Sequence, residues 1–452
     1  MLMIPQSRIF DQRTMTLMLE HDPLVRRYRT FFDQLDWSVV PEVPVDPSRP
    51  GQRPHPPSAY VKAFLIKVVE GLETCTRLRR FLIEHPLLVL SIGFRPKVAW
   101  DKPYGFDVEQ TVPTDRWLRH KQCTLDHRML QDLLCATVNA LQEEIPGLGE
   151  TVAFDVKHIY AWVRENNPRE SIKDRFCKEK QPKGDPDCRV GVKRSTNQEQ
   201  PDGSKKEKKE YLWGYGSGVA TATIPGYGEV VLAEYTQPFN EADVTYYLPL
   251  YIQTVATLGF FPTNITADAA FDAWYVYQTC VHHGGRAAIP LNQHGHPTCT
   301  RDSDGVPRCP AGLRMHPTMK FNHTNGYRAQ RYQCPLLFPE KTGLNCDHEQ
   351  FEKGKGCVKD INIEKGGLMR VMIDRDHPIY KGIYCQRTSA ERINSQTKAF
   401  GIERPKVRNG QSVRHLNTLT YIALNTKVLM RARSTNRTLL EDIARGAFMI
   451  AS

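Results

Sequence analysis

Residues 384–398, Y-C-Q-R-T-S-A-E-R-I-N-S-Q-T-K, combine side chains that could act together on a charged ligand. If this segment is a regular α-helix, each residue advances about 100° around the axis, and residues seven apart lie within about 20° of each other. Tyr384, Glu391 and Lys398 then lie almost in one line, with Arg387 about 60° to one side. These four are called the Y-R-E-K residues here. A carboxylate beside two cations suits a metal ion and neighbouring phosphates.

Two aspartates earlier in the chain stand where a carboxylate needs a partner. Asp155 interrupts the apolar segment VAFDV, and a buried charge in a central strand is costly unless a cation neutralises it. Asp268 ends the segment NITAD, and open α/β sheets bind ligands at such strand ends. Together with Glu391 they offer three oxygen donors, which suit Mg²⁺ or Mn²⁺. A pair of such ions could activate a water or a 3′-hydroxyl and stabilise the leaving oxygen of a phosphodiester.

These carboxylates also have structural interpretations. Asp155 could be a hydrogen-bonded structural aspartate. The sequence TSAE at residues 388–391 fits the S/T-x-x-E capping box, so Glu391 could close a helix N-terminus. Capping alone would not account for the other three Y-R-E-K residues.

The elements that must position these residues follow from hydrophobic periodicity. In the first third of the chain the pattern predicts helices from Pro57, in TCTRLRRFLIEHP, and from about Thr124 to Glu144. Residues 1–148 are therefore predicted to form an all-helical N-terminal domain. Its TRLRR segment, residues 76–80, could contact DNA and make the domain DNA-binding, or it could be an ordinary solvated helix face.

From residue 149 onward, strand-like and helical segments alternate. TVAFDVKHIYAWV, NITAD and RAAIPL predict strands, and a strand pair is predicted around Pro225-Gly226. DVTYYLPLYIQTVATLG, DAWYVYQTCVHHG and VRHLNTLTYIALNTKVLMRAR predict helices. The Lys-rich residues 165–210 predict a loop or mobile insertion. The alternation indicates an α/β domain with a mixed sheet.

These features together resemble a known family. The Y-R-E-K residues match, without a change in spacing, the Y-(2)-R-(3)-E-(6)-K signature of bacterial insertion-sequence transposases of the DDE class. VAFDV resembles the first-aspartate strand of that family, ITADAAFD its second-aspartate segment, and PPSAYVKAFLIKVVEGL the start of its N-terminal domain. The resemblance covers residues 57 to 430 and rests on the signature together with two aspartates in order.

The resemblance implies an RNase H-like catalytic domain, in which helices flank a mixed sheet. The two aspartates and Glu391 would be the catalytic, metal-binding triad, and the other three Y-R-E-K residues would hold phosphates of the transposon end. Asp272 could reach the same site or cap the following helix. Trp274 could stack on an unpaired base or belong to the core.

Residues 292–375 predict a loop-rich Cys/His insertion between two parts of the catalytic domain, residues 149–291 and 376–452. CPAGLRM, RYQCP and LNCDHEQFEKGKGC resemble a cysteine-bearing insertion in a subgroup of these transposases. The cysteines that could bind one tetrahedral Zn²⁺ are Cys309, Cys334, Cys346 and Cys357. His348 is a substitute ligand, and reduced thiols in a loop are the alternative to zinc. A long segment that lacks a hydrophobic core of its own needs another source of stability, which a bound zinc ion would provide.

Composition and charge narrow the class of protein. The chain has 452 residues, 40% of them hydrophobic and 25% charged, which is typical of a folded globular protein. Its net charge of +11 favours polyanionic partners, above all nucleic acid. The 12 cysteines are too sparse for a disulfide scaffold, and no apolar run suits a signal peptide or a membrane span. We expect a cytoplasmic, nucleoid-associated protein with reduced thiols and no membrane partner.

The predicted function is that of a DDE transposase. It would bind the terminal inverted repeats of its insertion sequence and hydrolyse a phosphodiester at each end. The 3′-hydroxyl so exposed would attack target DNA, with Mg²⁺ or Mn²⁺ as cofactor and a homodimer on DNA as the acting form. Tyr384 is not assigned as a nucleophile. The alternatives are a catalytically silent DNA-binding protein and an RNase H-like nuclease that cuts without joining.

Overall fold

The structure is a computed structural model that describes residues 12–42, 54–199, 205–292 and 299–444. The chain divides into two compact units. Unit 1 consists of residues 1–149, 155–260 and 388–452, and unit 2 of residues 150–154 and 261–387. Each unit therefore contains segments that are distant in sequence.

Helices account for most of the described N-terminal and C-terminal parts of the chain. In chain order the α-helices of the described residues are α1 (Gln12–His21), α2 (Pro23–Phe32), α3 (Pro57–Val69), α4 (Cys75–Glu84), α5 (Pro86–Ser91), α6 (Val108–Thr111), α7 (Asp115–Thr124), α8 (His127–Glu144), α9 (Tyr247–Leu258), α10 (Trp274–His282), α11 (Glu349–Glu352), α12 (Lys365–Met372), α13 (Pro378–Tyr384), α14 (Thr388–Ala399) and α15 (Gly410–Ala444).

Strands are confined to the middle of the chain. The strands of the described residues are β1 (Thr151–Tyr160), β2 (Arg189–Glu199), β3 (Lys205–Ile224), β4 (Gly228–Pro238), β5 (Asn264–Ala267), β6 (Arg286–Ala288), β7 (His316–Asn322), β8 (Arg328–Gln333) and β9 (Val358–Asn362).

The N-terminal helices begin where the sequence provides caps. Asp22, Thr74 and Asp126 each accept a hydrogen bond from a backbone N–H in the first turn of α2, α4 and α8. Helix α3 begins at Pro57, as predicted, and Gly71 just beyond its end has φ +63°. The predicted helical character of the N-terminal region is confirmed.

The strands of unit 1 form antiparallel ladders. β3 pairs with β2 and β4 in antiparallel fashion, and β3 and β4 are the predicted strand pair around Pro225-Gly226. The second half of β1 lies beside β3, where Ala161 N donates to Trp213 O at 2.9 Å. The loop predicted for residues 165–210 is wrong in its second half, which forms β2 and the start of β3. The prediction failed there because it relied on the charged side chains, whereas the hydrogen bonds between paired strands are formed by main-chain groups.

One hydrophobic core in unit 1 joins elements from opposite ends of the chain. The predicted C-terminal helix is confirmed as α15, and its Leu419 and Ile422 are fully buried in the same core as α2 to α8. Asn425 of α15 ties the helix to β4, since its side chain accepts from Val231 N at 2.9 Å and donates to Val231 O at 2.8 Å. The N-terminal helices therefore pack with the C-terminal helix within one unit.

Unit 2 begins with parallel strand pairs. The first four residues of β1 pair with β5, and β5 pairs with β6, both in parallel. The strands predicted for NITAD and RAAIPL and the helix between them, α10, are confirmed. Helix α12 packs closely on α10, because a Cβ at Gly366 would lie 2.5 Å from both Trp274 O and Gln278 N.

Residues 292–375 contain more regular structure than predicted. β7, β8 and β9 form a three-stranded antiparallel sheet, followed by α12. This sheet was not predicted from the sequence, because β7 is mostly exposed and shows no alternation of apolar and polar residues. A small apolar cluster of Cys309, Met315 and Cys357 packs against Tyr332 of β8.

The described residues form a mixed α/β protein with N-terminal helices and a mixed sheet that contains parallel pairs. The two compact units divide the chain at other positions than the four predicted segments, which stay a prediction of domain organisation. None of the described helices is both long and apolar enough to cross a membrane.

Candidate functional site

The Y-R-E-K residues do not lie on one regular α-helix. Helix α13 ends at Tyr384, residues 385–387 form a 3₁₀ turn that contains Arg387, and α14 carries Glu391 and Lys398. A 3₁₀ turn advances about 120° per residue, so the alignment expected from about 100° per residue is wrong across this turn. Only Glu391 and Lys398 keep the seven-residue relation within one helix.

Of the two cations of the signature, Lys398 is exposed on unit 1 and Arg387 is partly buried in unit 2. In unit 2 the Arg387 guanidinium lies 5.7 Å from the centre of the Tyr384 ring, on which Tyr380 stacks. In unit 1 the side chain of Lys398 is 64% exposed, and its Nζ lies 3.6 Å from Glu403. Both cations could therefore meet a phosphate.

Asp155 faces helix α14 within unit 1. It is partly buried, and Asn394 Nδ2 donates to its Oδ2 at 2.8 Å. Lys157, two residues further along β1, is 6% exposed, and its Nζ donates to Asn394 O at 2.5 Å and to Thr397 Oγ1 at 2.7 Å. Asp155 and Lys157 share one face of the strand, because side chains alternate with a period of two. The helix that carries Glu391, itself exposed, is thus bound to the strand that carries Asp155.

Lys157 is the residue of this region that sequence reasoning missed. Burial lowers its pKa to about 8; the Glu403 carboxylate opposes that shift, and Lys398 and Lys193 add to it. The two-residue spacing from Asp155 was a signal that could have identified it. A lysine with such a pKa can change protonation state near neutral pH.

Asp268 directly follows β5. Its carboxylate accepts a hydrogen bond from Ala270 N at 2.9 Å and caps the short 3₁₀ helix that begins at Ala269. The last parallel pair of β1 and β5 is Phe154 with Ala267. Asp155 and Asp268 each come directly after a residue of that pair.

Asp272 has a different role from those predicted. It does not cap α10, whose N-cap is Ala273. Its fully buried carboxylate forms a bidentate ion pair with Arg370 at 2.8 and 2.5 Å and accepts from Asn292 N at 2.7 Å. The prediction was wrong because Arg370 is 98 residues away in sequence. The spacing of residues near Asp272 in the sequence does not predict an ion-pair partner so far along the chain.

Trp274 is partly buried rather than a full core residue. Its ring meets Tyr275 and Tyr327 edge-on at 6.0 and 6.1 Å. It lines a cleft of about 290 Å³ in unit 2 together with Arg301 and Asn362. Both predicted roles of Trp274 stay predictions.

The predicted metal triad draws its residues from both units. Asp155 and Glu391 belong to unit 1 and Asp268 to unit 2. Among residues 12–42, 54–199, 205–292 and 299–444, no three His, Cys, Asp or Glu side chains are placed so that they could hold a metal ion. The donor chemistry fits Mg²⁺ or Mn²⁺, and the triad stays a prediction.

The four cysteines of the predicted zinc site all lie in unit 2. Cys309, Cys334 and Cys357 are buried, and Cys346 is partly buried. Burial, together with the other three thiols, raises the pKa of Cys357 to about 11. The thiols are therefore grouped around Cys357, although no three of them form a metal-ligand group as placed. His348 caps α11 by accepting from Gln350 N, and the zinc site stays a prediction.

Comparison of the chain with models of known protein families, with curated proteins and with solved structures gives no match in any of the three. The functional conclusion depends on the residues and their placement.

Proposed function

We propose that the chain is a DDE transposase with an RNase H-like catalytic domain. The observation that carries the proposal is the position of the two aspartates. Each directly follows the last parallel pair of β1 and β5, which is where open α/β sheets bind ligands. The mixed sheet with parallel pairs and the packing of α14 against β1 support the same conclusion.

The proposed catalytic residues are Asp155, Asp268 and Glu391, which would hold Mg²⁺ or Mn²⁺. Such an ion, when bound, supplies charge stabilisation for the cleavage of a phosphodiester. Asn394 orients the Asp155 carboxylate through its hydrogen bond, and Lys157 anchors the main chain of α14 below Glu391.

The proposed substrate is DNA, namely the ends of the chain's own insertion sequence and a target. The net charge of +11 supports a polyanionic substrate. Tyr384, Arg387 and Lys398 would bind phosphates near the cleaved bond. A homodimer on DNA, located in the cytoplasm with the nucleoid, belongs to the same proposal.

The test is incubation of the protein with the DNA that flanks its own gene, with and without Mg²⁺. End-specific cuts and joined products are expected only with the metal. Asp155→Ala, Asp268→Ala and Glu391→Ala should each abolish cleavage while end binding persists, because each removes a metal ligand and no DNA contact. Asp132→Ala, at an exposed position of α8, is the matched control and should cleave normally.

The outcomes separate the proposal from its alternatives. Cleavage by one of the three alanine variants would remove that residue from the triad. End binding without any metal-dependent cutting would indicate a catalytically silent DNA-binding protein. Cutting without joined products would indicate an RNase H-like nuclease.

A further inference from the structure

Unit 1 carries a second set of cations that uses none of the Y-R-E-K residues. In the segment between α14 and α15, Pro405 and Val407 are buried, and Arg404, Lys406 and Arg408 are exposed. This alternation of exposed and buried residues places the three cations on the solvent side of the segment. A hydrogen bond from Tyr160 N to Glu403 O, 2.9 Å long, joins this segment to the end of β1.

Two of these cations lie over aromatic rings. The Arg404 guanidinium is 4.3 Å from the centre of the Tyr160 ring, and that of Arg408 is 4.9 Å from the Trp162 ring. Neither guanidinium forms an ion pair with any residue that the structure describes. Trp162 is 46% exposed. Tyr160, Trp162, Arg404, Lys406 and Arg408 are called the aromatic-basic surface here.

Two clefts in unit 1 share Trp162 and Arg408 as lining residues. The larger has a volume of about 440 Å³ and is also lined by Arg119 and Lys406, with no carboxylate among its lining residues. The smaller has a volume of about 360 Å³ and includes Arg164, which is paired with Glu170. A flat aromatic ring with a basic cleft beside it suits a base and its phosphate.

The larger cleft contains a buried donor without a partner. Gln122 lines it and is 2% exposed, and its Nε2 has no hydrogen-bond acceptor among the described residues. A buried polar group without a hydrogen-bond partner is energetically costly, so a ligand oxygen there would be favoured. The first turns of α4 and α15 also line the cleft through Cys75 and Ser412, which adds the positive ends of two helix dipoles.

We propose that the aromatic-basic surface is a binding site for single-stranded DNA. One base stacks on Trp162, and an adjacent phosphate enters the larger cleft, where Lys406, Arg408 and Gln122 meet it. A duplex fits less well, because its bases are already stacked and cannot lie on an exposed ring. Lys406 now pairs with Glu73 at 2.9 Å, and that exposed ion pair is weak enough to open for a phosphate. The inference deepens the proposed function, because strand transfer exposes unpaired ends, but the binding itself needs no catalysis.

Fluorescence anisotropy with a labelled single-stranded oligonucleotide, and with a duplex of the same length, tests the proposal on the full chain. Trp162→Ala should weaken single-strand binding by about 5- to 150-fold, the effect of one lost base stack, and should leave duplex binding nearly unchanged. Trp162→Phe keeps an aromatic face and should retain most of the affinity. Arg408→Ala should lower the slope of log affinity against log salt by about 0.7, the value for one phosphate of a single strand.

Matched controls lie elsewhere in unit 1. Trp100 is 59% exposed and Arg26 is exposed on α2, so Trp100→Ala and Arg26→Ala remove the same groups outside the surface. Wild-type affinity in Trp162→Ala, or an equal loss in Trp100→Ala, would overturn the proposal, as would equal losses for single strand and duplex. Failure of metal-dependent cleavage would overturn the transposase alone, because this binding is measured without metal.

Discussion

At the level of single residues, hydrogen bonds connect Asp155 and the neighbouring Lys157 to helix α14. Asn394 donates to one of the Asp155 oxygens, and Lys157 binds the main chain of α14. The structural interpretation of Asp155 and its proposed catalytic role are therefore compatible. An ionised carboxylate has about four acceptor sites, so the hydrogen bond from Asn394 does not by itself exclude a metal-binding role.

Lys398 is the residue at which DNA binding can be tested most directly. If the proposed function holds, Lys398→Ala should weaken binding to the transposon ends and lower the slope of log affinity against log salt by about one, because one phosphate contact would be lost. Titrations at several salt concentrations measure the slope. Lys381→Ala is a close control, since Lys381 is 63% exposed and lies 3.5 Å from Asp376, much as Lys398 lies near Glu403. An unchanged slope in folded Lys398→Ala, or an equal change in the control, would contradict the assignment.

Loss of Arg370 should lower the stability of unit 2. Arg370→Ala leaves the Asp272 carboxylate buried without its ion-pair partner, which should lower the free energy of unfolding by about 3–5 kcal/mol. The double variant Asp272→Asn, Arg370→Met should recover part of this loss. Denaturant unfolding and limited proteolysis of unit 2 measure both.

The control for this ion pair is another bidentate pair of unit 2, Arg331 with Asp360, whose side chains are about one-third exposed. Arg331→Ala should cost at most about 1 kcal/mol, because solvent screens an exposed pair. Equal costs in the two alanine variants would show that burial of Asp272 does not decide its energetics.

At the level of secondary-structure elements, Glu234 of β4 connects two helices. Its fully buried carboxylate accepts from Gln131 of α8 at 2.8 Å and from Thr418 of α15 at 2.6 Å. Burial raises its pKa to about 7, and the hydrogen bonds and the Arg414 charge only partly offset that rise. His127 lies 3.9 Å away, but burial lowers its own pKa to about 4, so it is neutral and does not compensate.

The ionisation of Glu234 should make unit 1 less stable at high pH. Its pKa in the folded protein lies above the ordinary value of 4.5, so its stabilising contribution is complete below pH 4.5 and is lost as pH rises through about 7. The side chain of Glu234→Gln stays neutral at every pH. The free energy of unfolding of this variant, measured relative to the wild type, should therefore increase by up to about 1.4 kcal/mol per pH unit in this range. Urea unfolding across this range measures the difference, with Glu143→Gln at an exposed position of α8 as control. Parallel pH profiles for Glu234→Gln and the wild type would contradict the argument.

The sheet formed by β7, β8 and β9 is small, and its apolar cluster includes two of the four grouped cysteines. Protein purified without chelator should contain about one zinc ion per chain. Cys334→Ser should lose the metal and make residues 299–375 more sensitive to protease, because zinc binding contributes folding free energy locally. Cys385→Ser, at an exposed cysteine outside the group, should keep the zinc. Absence of zinc from the wild type, or its retention in Cys334→Ser, would reject the site.

At the level of the whole molecule, two compact units share one strand. β1 contributes residues 151–154 to unit 2 and its remainder to unit 1. Unit 1 also unites the N-terminal helices with α15, so both ends of the described chain contribute to one core. Stability effects can therefore be assigned by unit: those of Glu234 to unit 1 and those of Arg370 to unit 2.

The sequence by itself determined the elements with strong local signals. Helices α3, α4, α8, α10 and α15 and strands β1 and β5 were predicted from apolar periodicity, caps and stop residues, which act within a few residues of the chain. The positions of Asp155 in β1 and of Asp268 directly after β5 followed from the same signals. These features need no partner distant in sequence.

Only the tertiary structure decided the remaining features, because their energetics depend on residues far apart in the chain. The charged strand β2 is stabilised by main-chain pairing with β3, and no apolar pattern in its own sequence predicts that pairing. Lys157 is buried only because α14 packs on β1, and Asp272 is neutralised by Arg370, 98 residues away. Burial and ion pairing set the chemistry of these side chains, and both arise when distant segments meet.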